Sequence, residues 1–467
     1  MKGMIMKIAR LILFFLAFVT AVAAQSHFVL IKTDDYPAIR FYLEKKGYDV
    51  AGYDDARHEL GIVTSDPKSF ENLELPAPLH FTIVSVMPGS SYLEYSPKRE
   101  GIDDYYNVEE TLQEMEKLER TYPKWAKLFN LCEFLGLPAT HEGKYVYALQ
   151  VSGNPDMIED EPKAMIVGVH HAREITTHHA VLDAAKDLLV QASSGNPRYL
   201  DWIQRSAVWF VPVVNPDGMS YVFSSNRMWR KNLSRNADGT RGVDLNRNYA
   251  FKWGECGSNS STPGSDIYKG PSAQSEPEVR IMNALNARLR CQFLISYHSY
   301  GNEVLYPYVC GDLAESSLYY AIRDALTKET GYGKRYASSS GEDFEQHYNY
   351  YGTISFLLEI GTSFQPSFST YQGTIWPAKK VLPFVMDRMH GAHIHLRVMD
   401  AATGELLPAS VSVKQVQFKQ GEKRSADGHG SYRWYLSPGE YTVTVSMPGY
   451  RSHRSEEHTS ELQSRQS

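Results

Sequence analysis

Two histidines and one glutamate lie where predicted strands end, and their side chains suit a metal ion. His171 and Glu174, three residues apart, follow the apolar run Ala164–Val169. His298 ends a second apolar run, Phe293–Tyr297. Because side chains at the carboxyl ends of parallel strands face one crevice, we expect these three to converge. Two imidazoles and a carboxylate with a fourth position open to water are typical of a catalytic zinc, which could activate water for hydrolysis.

The His-x-x-Glu spacing alone gives weak support, since the chain has 16 histidines. The same spacing occurs at His453 and Glu456 and at His458 and Glu461, and we interpret both as chance. On spacing alone a surface ion pair is the better interpretation, and His298 alone could be a hydrogen-bonded core histidine. The position of the first pair after a buried strand favours the metal site.

The elements that must position these residues follow an α/β pattern from about residue 101 to residue 390. Ala164–Val169, Val208–Val214 and Phe293–Tyr297 are apolar runs of the length of buried strands. Val181 to Leu189 carries apolar residues at helical spacing. The pattern predicts an α/β domain with a mixed, mostly parallel sheet and helices on both faces.

Two smaller units flank this domain. Residues 25–97 alternate strand-like and helical patterns and predict a small α+β domain. Residues 392–453 alternate apolar and polar side chains between Pro-Gly turns, which predicts a β-sandwich that stops before its last strand. Residues 454–467 are polar and aperiodic and resemble the translation of a sequencing adapter, so we expect a non-native tail.

Residues 1–24 predict a secretory signal peptide. Lys2, Lys7 and Arg10 precede the apolar run Leu11–Val19, and small residues follow up to Ala24. We therefore expect a secreted or periplasmic protein with no membrane span once the signal is removed.

The four cysteines, in that oxidising setting, allow three pairings: Cys132, Cys256, Cys291 and Cys310. The sequence does not choose among the pairings. A disulfide that includes Cys256, in a loop, is one interpretation, and Cys291, which enters an apolar strand, could be a buried thiol.

The composition is that of an ordinary globular protein. The 467 residues include 42% hydrophobic and 22% charged residues, with a net charge of −6. These values exclude a largely disordered chain and a multi-span membrane protein, and they give no basic excess to attract nucleic acid. The length predicts about three domains.

The ordered motifs of the chain resemble those of zinc carboxypeptidases of the carboxypeptidase A/B/T type. Arg173 precedes the glutamate of the His-x-x-Glu motif, as in that family. Six further blocks follow in the family's order: Asn215–Gly218, Asn226–Lys231, Gly242–Asn248, His298–Tyr300, Leu305–Tyr308 and Phe356–Glu359. The resemblance covers about residues 105 to 385 and implies an eight-stranded mixed sheet, one catalytic Zn²⁺ and hydrolysis of the C-terminal bond of peptides.

The resemblance also implies a role for each matched residue. The zinc ligands would be His171, Glu174 and His298. The groups that act on the reacting bond would be Glu359, as general base, and Arg230, which would stabilise the oxyanion. The groups that bind substrate, at its terminal carboxylate or along the groove, would be Asn246, Arg247, Tyr336 and Arg173.

The pocket for the substrate side chain departs from the family pattern, and its floor stays open between two alternatives. Phe344 would favour apolar side chains, whereas Asp343 or Glu345 would favour lysine and arginine. Four other histidines near the motifs are interpreted as structural or exposed: His170, His178, His179 and His347.

The flanking units resemble accessory domains of this family. Residues 25–97 would be an inhibitory propeptide, and Lys98-Arg99 would suit a trypsin-like processing enzyme. Residues 392–453 resemble transthyretin-like modules. Expected partners are peptides or proteins with a free C-terminus. Two other functions stay open: a zinc peptidase that acts on cell-wall peptides, and an inactive binding relative.

Overall fold

A computed structural model describes residues 27–54, 58–64, 66–88 and 102–459. The expected signal peptide, the Lys98-Arg99 pair and residues 460–467 lie outside the described residues. Within the described ranges, none of the helices combines the length and the apolarity needed to cross a bilayer.

The N-terminal unit is a four-stranded antiparallel sheet with two helices. Its elements are β1 His27–Lys32, α1 Tyr36–Lys45, β2 Asp49–Asp54, β3 Glu59–Thr64, α2 Pro67–Glu71 and β4 Thr82–Pro88. The strand order is β2-β3-β1-β4. Alternate residues of β1, Val29 and Ile31, pack with Ile39 and Leu43 of α1, which gives the unit a core of its own. β2 was not predicted, because its sequence lacks an apolar alternation.

The central domain is built on eight strands: β5 Ala126–Asn130, β6 Tyr147–Val151, β7 Lys163–Val167, β8 Ala207–Val211, β9 Phe293–His298, β10 Glu303–Tyr306, β11 Gly333–Tyr336 and β12 Ile354–Glu359. They lie in the order β11-β10-β12-β9-β7-β8-β6-β5. The neighbours β12, β9, β7 and β8 are mutually parallel. Antiparallel pairs occur toward both edges.

The helices of this domain are α3 Val108–Thr121, α4 Leu131–Leu135, α5 Thr176–Ser193, α6 Pro197–Arg205, α7 Pro216–Ser224, α8 Pro277–Leu289, α9 Ser316–Thr330, α10 Asp343–Tyr351, α11 Phe368–Thr374, α12 Trp376–Lys379 and α13 Val381–Met389.

Side chains of the central strands alternate between two cores, one on each face of the sheet. Ala164 and Ile166 of β7 pack with α5, α6, α9 and α13. Met165 and Val167 pack with α4 and α8 on the opposite face. This alternation follows from the two-residue period of a strand, and burial on both faces explains the continuous apolar runs. The predicted fold class, a mixed eight-stranded sheet between two layers of helices, is confirmed.

The C-terminal unit consists of two small antiparallel sheets around an apolar core. Its strands are β13 Ile394–Arg397, β14 Ser410–Val413, β15 Ser431–Trp434, β16 Gly439–Ser446 and β17 His453–Thr459. The expected boundary after residue 453 falls inside β17, which pairs along its length with β16. Residues 454–459 form part of this strand although their sequence is polar and aperiodic, because strand pairing uses backbone groups and tolerates polar side chains. That residues 454–467 are a non-native tail stays a prediction.

One disulfide joins two loops of the central domain. It links Cys256 to Cys310, whereas Cys132 and Cys291 are buried free thiols. The structure thus agrees with the interpretation of a disulfide that includes Cys256 and with that of Cys291 as a buried thiol, and it leaves Cys132 unpaired. Burial raises the pKa of the Cys291 thiol to about 12, so this thiol stays protonated and inert.

Candidate metal centre and cleft

His171, Glu174 and His298, which we call the edge group, converge at the carboxyl edge of the central sheet. The first two lie on the loop 168–175 between β7 and α5, and His298 is the last residue of β9. His171 Nδ1 lies 2.8 Å from Glu174 Oε1, and His298 Nδ1 lies 3.0 Å from Glu174 Oε2. The two Nδ1 atoms are 3.1 Å apart. Ligands of one tetrahedral zinc, bonded at about 2.0–2.1 Å, lie about 3.3 Å apart, so this donor set fits the ion.

Two of the three members of the edge group have pKa shifts toward the deprotonated form that binds a metal, whereas Glu174 and Asp244 raise the pKa of His171 although burial and Arg230 oppose this. Burial lowers the pKa of His298 to about 4, so its imidazole is neutral. Burial alone would raise the pKa of Glu174, but the interactions of its carboxylate with His171 and, to a smaller extent, with His298 outweigh burial and lower the pKa, so the carboxylate is ionised.

The backbone of the loop that carries His171 and Glu174 is fixed by hydrogen bonds to neighbouring side chains. The Val169 N–H donates to Thr177 Oγ1 at 3.0 Å, and Asn215 Nδ2 donates to the His170 carbonyl at 3.1 Å. Gly168 lies so close to the Pro212 carbonyl that an added Cβ would be 3.0 Å from it. The first residue of the loop must therefore be small, and the loop leaves the strand in one direction.

Asp244 supports the edge group from behind, and the sequence analysis gave it no role. Its Oδ1 lies 3.0 Å from His171 Nε2, and its Oδ2 accepts from Arg230 Nε and Nη2 at 3.0 and 2.9 Å. Although burial opposes the charge, Arg230 and His171 hold the pKa of Asp244 well below its usual value. A carboxylate that accepts the Nε2 proton leaves the Nδ1 lone pair of His171 directed into the edge group, as metal-binding histidines require. The sequence signal that could have identified Asp244 was its position in Gly242–Asn248, one of the blocks that match the family.

Glu359 lies beside the edge group without belonging to it. It ends β12, where it is in register with His298 of β9 and with Glu303 of β10. Burial and the charge of Glu174 raise its pKa to about 8. A divalent cation in the edge group would oppose this shift, since it favours the ionised carboxylate. The carboxyl is thus placed to exchange a proton near the metal position.

Three residues with expected roles line one cleft with the edge group and Glu359: Arg230, Asn246 and Arg247. Arg247 Nε donates to the Ser258 carbonyl at 2.7 Å, and its Nη1 donates to Glu342 Oε1 at 3.0 Å. Asn246 Oδ1 accepts the Asp343 N–H at 2.9 Å. These bonds fix both side chains against the N-terminus of α10.

Two residues with expected roles lie elsewhere. Tyr336 is 49% exposed and lies outside the residues that line the cleft, with its ring centre 4.5 Å from that of Tyr306 and the two rings tilted by 48°. Arg173 is fully buried, with its guanidinium 4.2 Å from the ring centre of Phe364. Their roles in substrate binding stay predictions that this geometry does not favour.

The alternatives for the pocket floor also lie off the cleft wall. Phe344 is fully buried in the core, Glu345 is fully buried beside the Val309 N–H, and Asp343 lies 3.6 Å from His170. The cleft is lined instead by Glu342, the residue before α10. Burial raises the pKa of Glu342 to about 7, and Arg247 partly offsets the effect.

A second group of similar residues, which we call the loop group, consists of His141, Glu276 and Glu278. His141 Nε2 lies 2.8 Å from Glu276 Oε2, and Glu276 also accepts from Asn232 Nδ2 at 2.7 Å. Burial, followed by nearby carboxylates, raises the pKa of Glu278 to about 8. In the loop group, His141 and Glu276 form hydrogen bonds within the protein, and the raised pKa of Glu278 favours its protonated form.

The other histidines near the motif are buried and structural, which agrees with the first of the two interpretations: His170, His178, His179 and His347. His170, for example, lies 2.9 Å from the Tyr249 hydroxyl, and its ring stacks on that of His298.

Known proteins with similar sequences and folds agree with this geometry. Residues 111–373, more than half of the chain, match the sequence profile of zinc carboxypeptidases. A carboxypeptidase B from Helicoverpa zea is 31% identical over 244 residues, which are 50% of this chain and 54% of that protein. A carboxypeptidase A5 from Macaca fascicularis is 43% identical over 141 residues, 30% of this chain and 32% of that protein.

The crystal structure of a carboxypeptidase A from Helicoverpa armigera superposes with a TM-score of 0.61 at 20% identity, over 79% of this chain and 98% of that one. At this identity the match shows the shared fold. The chain spans about half the length of the curated relative from Helicoverpa zea. The profile match, which covers the edge group and Glu359, confirms the resemblance: the chain belongs to the zinc carboxypeptidase family.

Proposed function

We propose that this protein is a zinc-dependent carboxypeptidase that removes C-terminal residues from peptides. The observation that carries the proposal is the convergence of the edge group on one point, beside Glu359 and in one cleft with Arg230, Asn246 and Arg247. A carboxylate outside the ligand set and a buried guanidinium are the groups that amide hydrolysis needs beside a metal.

The residues of the cleft divide the chemistry among them. His171, Glu174 and His298 would hold the ion, which supplies Lewis acidity. The Glu359 carboxylate accepts a proton from the attacking water and delivers it to the leaving amine. Arg230, held by two hydrogen bonds to Asp244, stabilises the negative charge that develops on the carbonyl oxygen.

Arg247 and Asn246 bind the terminal carboxylate of the peptide, which makes the reaction an exopeptidase reaction. Arginine suits this role because its guanidinium pairs with a carboxylate through two parallel hydrogen bonds. A substrate carboxylate would compete with Glu342 for Arg247. Glu342 would then be free to pair with a cationic substrate side chain, so we propose a preference for C-terminal lysine or arginine.

The N-terminal unit, residues 25–97, is proposed as an inhibitory propeptide. Arg40 of α1 lies 3.6 Å from Glu303 Oε2, and Tyr48 and Val50 line the cleft. A peptide would meet these side chains before it reached the metal. Secretion or export to the periplasm is supported by the signal-like sequence of residues 1–24 and by the Cys256–Cys310 disulfide, which requires an oxidising compartment.

Glu359→Gln tests the proposal. We expect turnover of a peptide with a free C-terminus to fall by at least about a thousandfold, because the amide cannot accept the proton. Bound zinc, measured by mass spectrometry of the metal content, should stay at one per chain, because Glu359 is not in the ligand set. The assay uses the full zinc-loaded chain before and after a limited tryptic cut at Lys98-Arg99. Near-normal turnover in the variant would contradict the assigned role.

A further inference from the structure

The C-terminal unit contacts the central domain at α10, the helix whose N-terminal end adjoins the substrate-binding cleft. Arg424, with only 1% of its side chain exposed, forms an ion pair with Glu315, which lies immediately before α9, at 3.1 Å. Its Nη1 donates to the carbonyls of Tyr348 and Asn349, at 3.1 and 3.3 Å, in the last turn of α10. A cation at the C-terminus of a helix interacts favourably with the last carbonyls and with the helix dipole.

Further bonds join the same two segments. The Lys423 N–H donates to the Asn349 carbonyl at 2.8 Å, and Asn349 Nδ2 donates to the Gln420 carbonyl at 3.1 Å. Trp434 Nε1 donates to Glu315 Oε1 at 3.0 Å, which fixes the carboxylate that pairs with Arg424. The C-terminal end of α10 is thus held by backbone and side-chain bonds from the C-terminal unit.

The opposite end of α10 contacts the two residues proposed to bind the substrate carboxylate. The Asp343 N–H donates to Asn246, and Glu342, which precedes the helix, accepts from Arg247. The helix has only nine residues, so a shift at one end moves the other end with it. Every residue of α10 from Asp343 to Asn349 is buried, so the helix has little room to adjust by itself.

We propose that Arg424 is a positioning residue for substrate binding, and that the C-terminal unit sets, through α10, where Asn246 and Arg247 meet the terminal carboxylate. The inference rests on the proposed carboxypeptidase function and extends it to a domain outside the family match. The zinc ligands lie on the loop 168–175 and on β9, so Arg424 should affect substrate binding without affecting the metal.

A matched pair of variants tests this role. Arg433 also joins the C-terminal unit to the central domain, by an ion pair to Asp160 at 2.8 Å. Asp160 lies before β7, at the amino ends of the parallel strands, whereas the cleft lies at their carboxyl ends. Arg424→Met and Arg433→Met therefore each remove one buried interdomain arginine, but only the first touches α10.

We expect Arg424→Met to raise KM about tenfold and to leave kcat within about twofold, because binding is lost equally in the ground and transition states. The inhibition constant of the released free amino acid should rise by a similar factor, whereas that of its amide should not change. Arg433→Met should lower the melting temperature without changing KM. Arg424→Lys, which keeps the charge but not the two-pronged geometry, should show a smaller rise in KM and serves if Arg424→Met does not fold.

The outcomes separate the inference from the proposed function. A full chain that cleaves no peptide, with zinc bound and after the tryptic cut, would overturn the proposed function. If the parent chain is active but Arg424→Met and Arg433→Met have the same KM, the inference alone is overturned. A fall in kcat and zinc content at constant KM would also overturn it, since it would indicate general destabilisation.

Discussion

The edge group and the loop group are built from the same residue types, and the carboxylates of both are buried, yet only the first has its donors directed to one shared point. In the edge group three side chains point their lone pairs toward each other. In the loop group His141 lies against Glu276, and Glu278 keeps its proton near neutral pH because burial raises its pKa to about 8.

The difference lies in the backbone that carries each group. The edge group stands at the ends of parallel strands, where the sheet brings the three side chains to one point of the crevice. The loop group joins a loop to the start of α8, where Asn232 and Ser275 satisfy the Glu276 carboxylate. Residue types and proximity alone therefore do not identify a metal site.

The largest expected effect is on zinc content. His298→Ala should reduce bound zinc from one per chain to less than about a tenth after dialysis, because a two-ligand site holds zinc weakly. His141→Ala, the matched change in the loop group, should leave the zinc content at one per chain. A parent chain with two zinc ions, one of them lost in His141→Ala, would contradict the comparison.

A smaller effect is expected at Asp244, which orients His171 without touching the metal position. Asp244→Asn should weaken zinc binding roughly 10- to 100-fold, since the histidine loses its charged hydrogen-bond acceptor. Competition with a chelator of known zinc affinity measures the change. Unchanged affinity would mean that the loop 168–175 orients His171 by itself.

The smallest effect is on stability and depends on pH. An acid whose pKa rises on folding binds its proton more tightly in the folded chain, so stability falls as pH rises from about 4.5 to about 8. Glu278→Gln removes this loss and should raise the melting temperature by a few degrees at pH 7.5, with no gain below pH 4.

Glu276→Gln is the opposite case within the loop group. Burial would raise the pKa of Glu276, but bonds from His141, Ser275 and Asn232 lower it, so its charge stabilises the fold above the unfolded pKa. This variant should lose stability at neutral pH. The same sign for both variants would show that the two carboxyls titrate as one unit.

The sequence predicted the edge group because its members follow or end apolar runs, and parallel strands bring such ends together. Glu359, in contrast, was named through the resemblance to the zinc carboxypeptidases. The sequence analysis gave Asp244 no role because its contact with His171 depends on the path of a loop that is distant from His171 in sequence. The sequence analysis named Asp343, Phe344 and Glu345 for the pocket floor, whereas the cleft is lined by the preceding residue, Glu342. Which residue at the start of a helix faces a cleft depends on packing, which the sequence does not reveal.

Contacts between units were the least predictable part. The sequence predicted a C-terminal sandwich from its two-residue period, but nothing in that period indicates that Arg424 reaches the end of α10. Such a contact depends on the relative placement of two domains, which local patterns do not encode. The role of Tyr336 shows a similar limit. The resemblance to the family predicted that Tyr336 binds the substrate carboxylate, whereas its side chain is half exposed on an edge strand.

The register of β12 against β9 pairs Glu359 with His298. Neighbouring strands lie about 4.8 Å apart whatever side chains they carry. The separation between the Glu359 carboxyl and the edge group is thus set by main-chain geometry. Loops that select the substrate can diverge freely in evolution, while this spacing persists as long as the two strands stay paired.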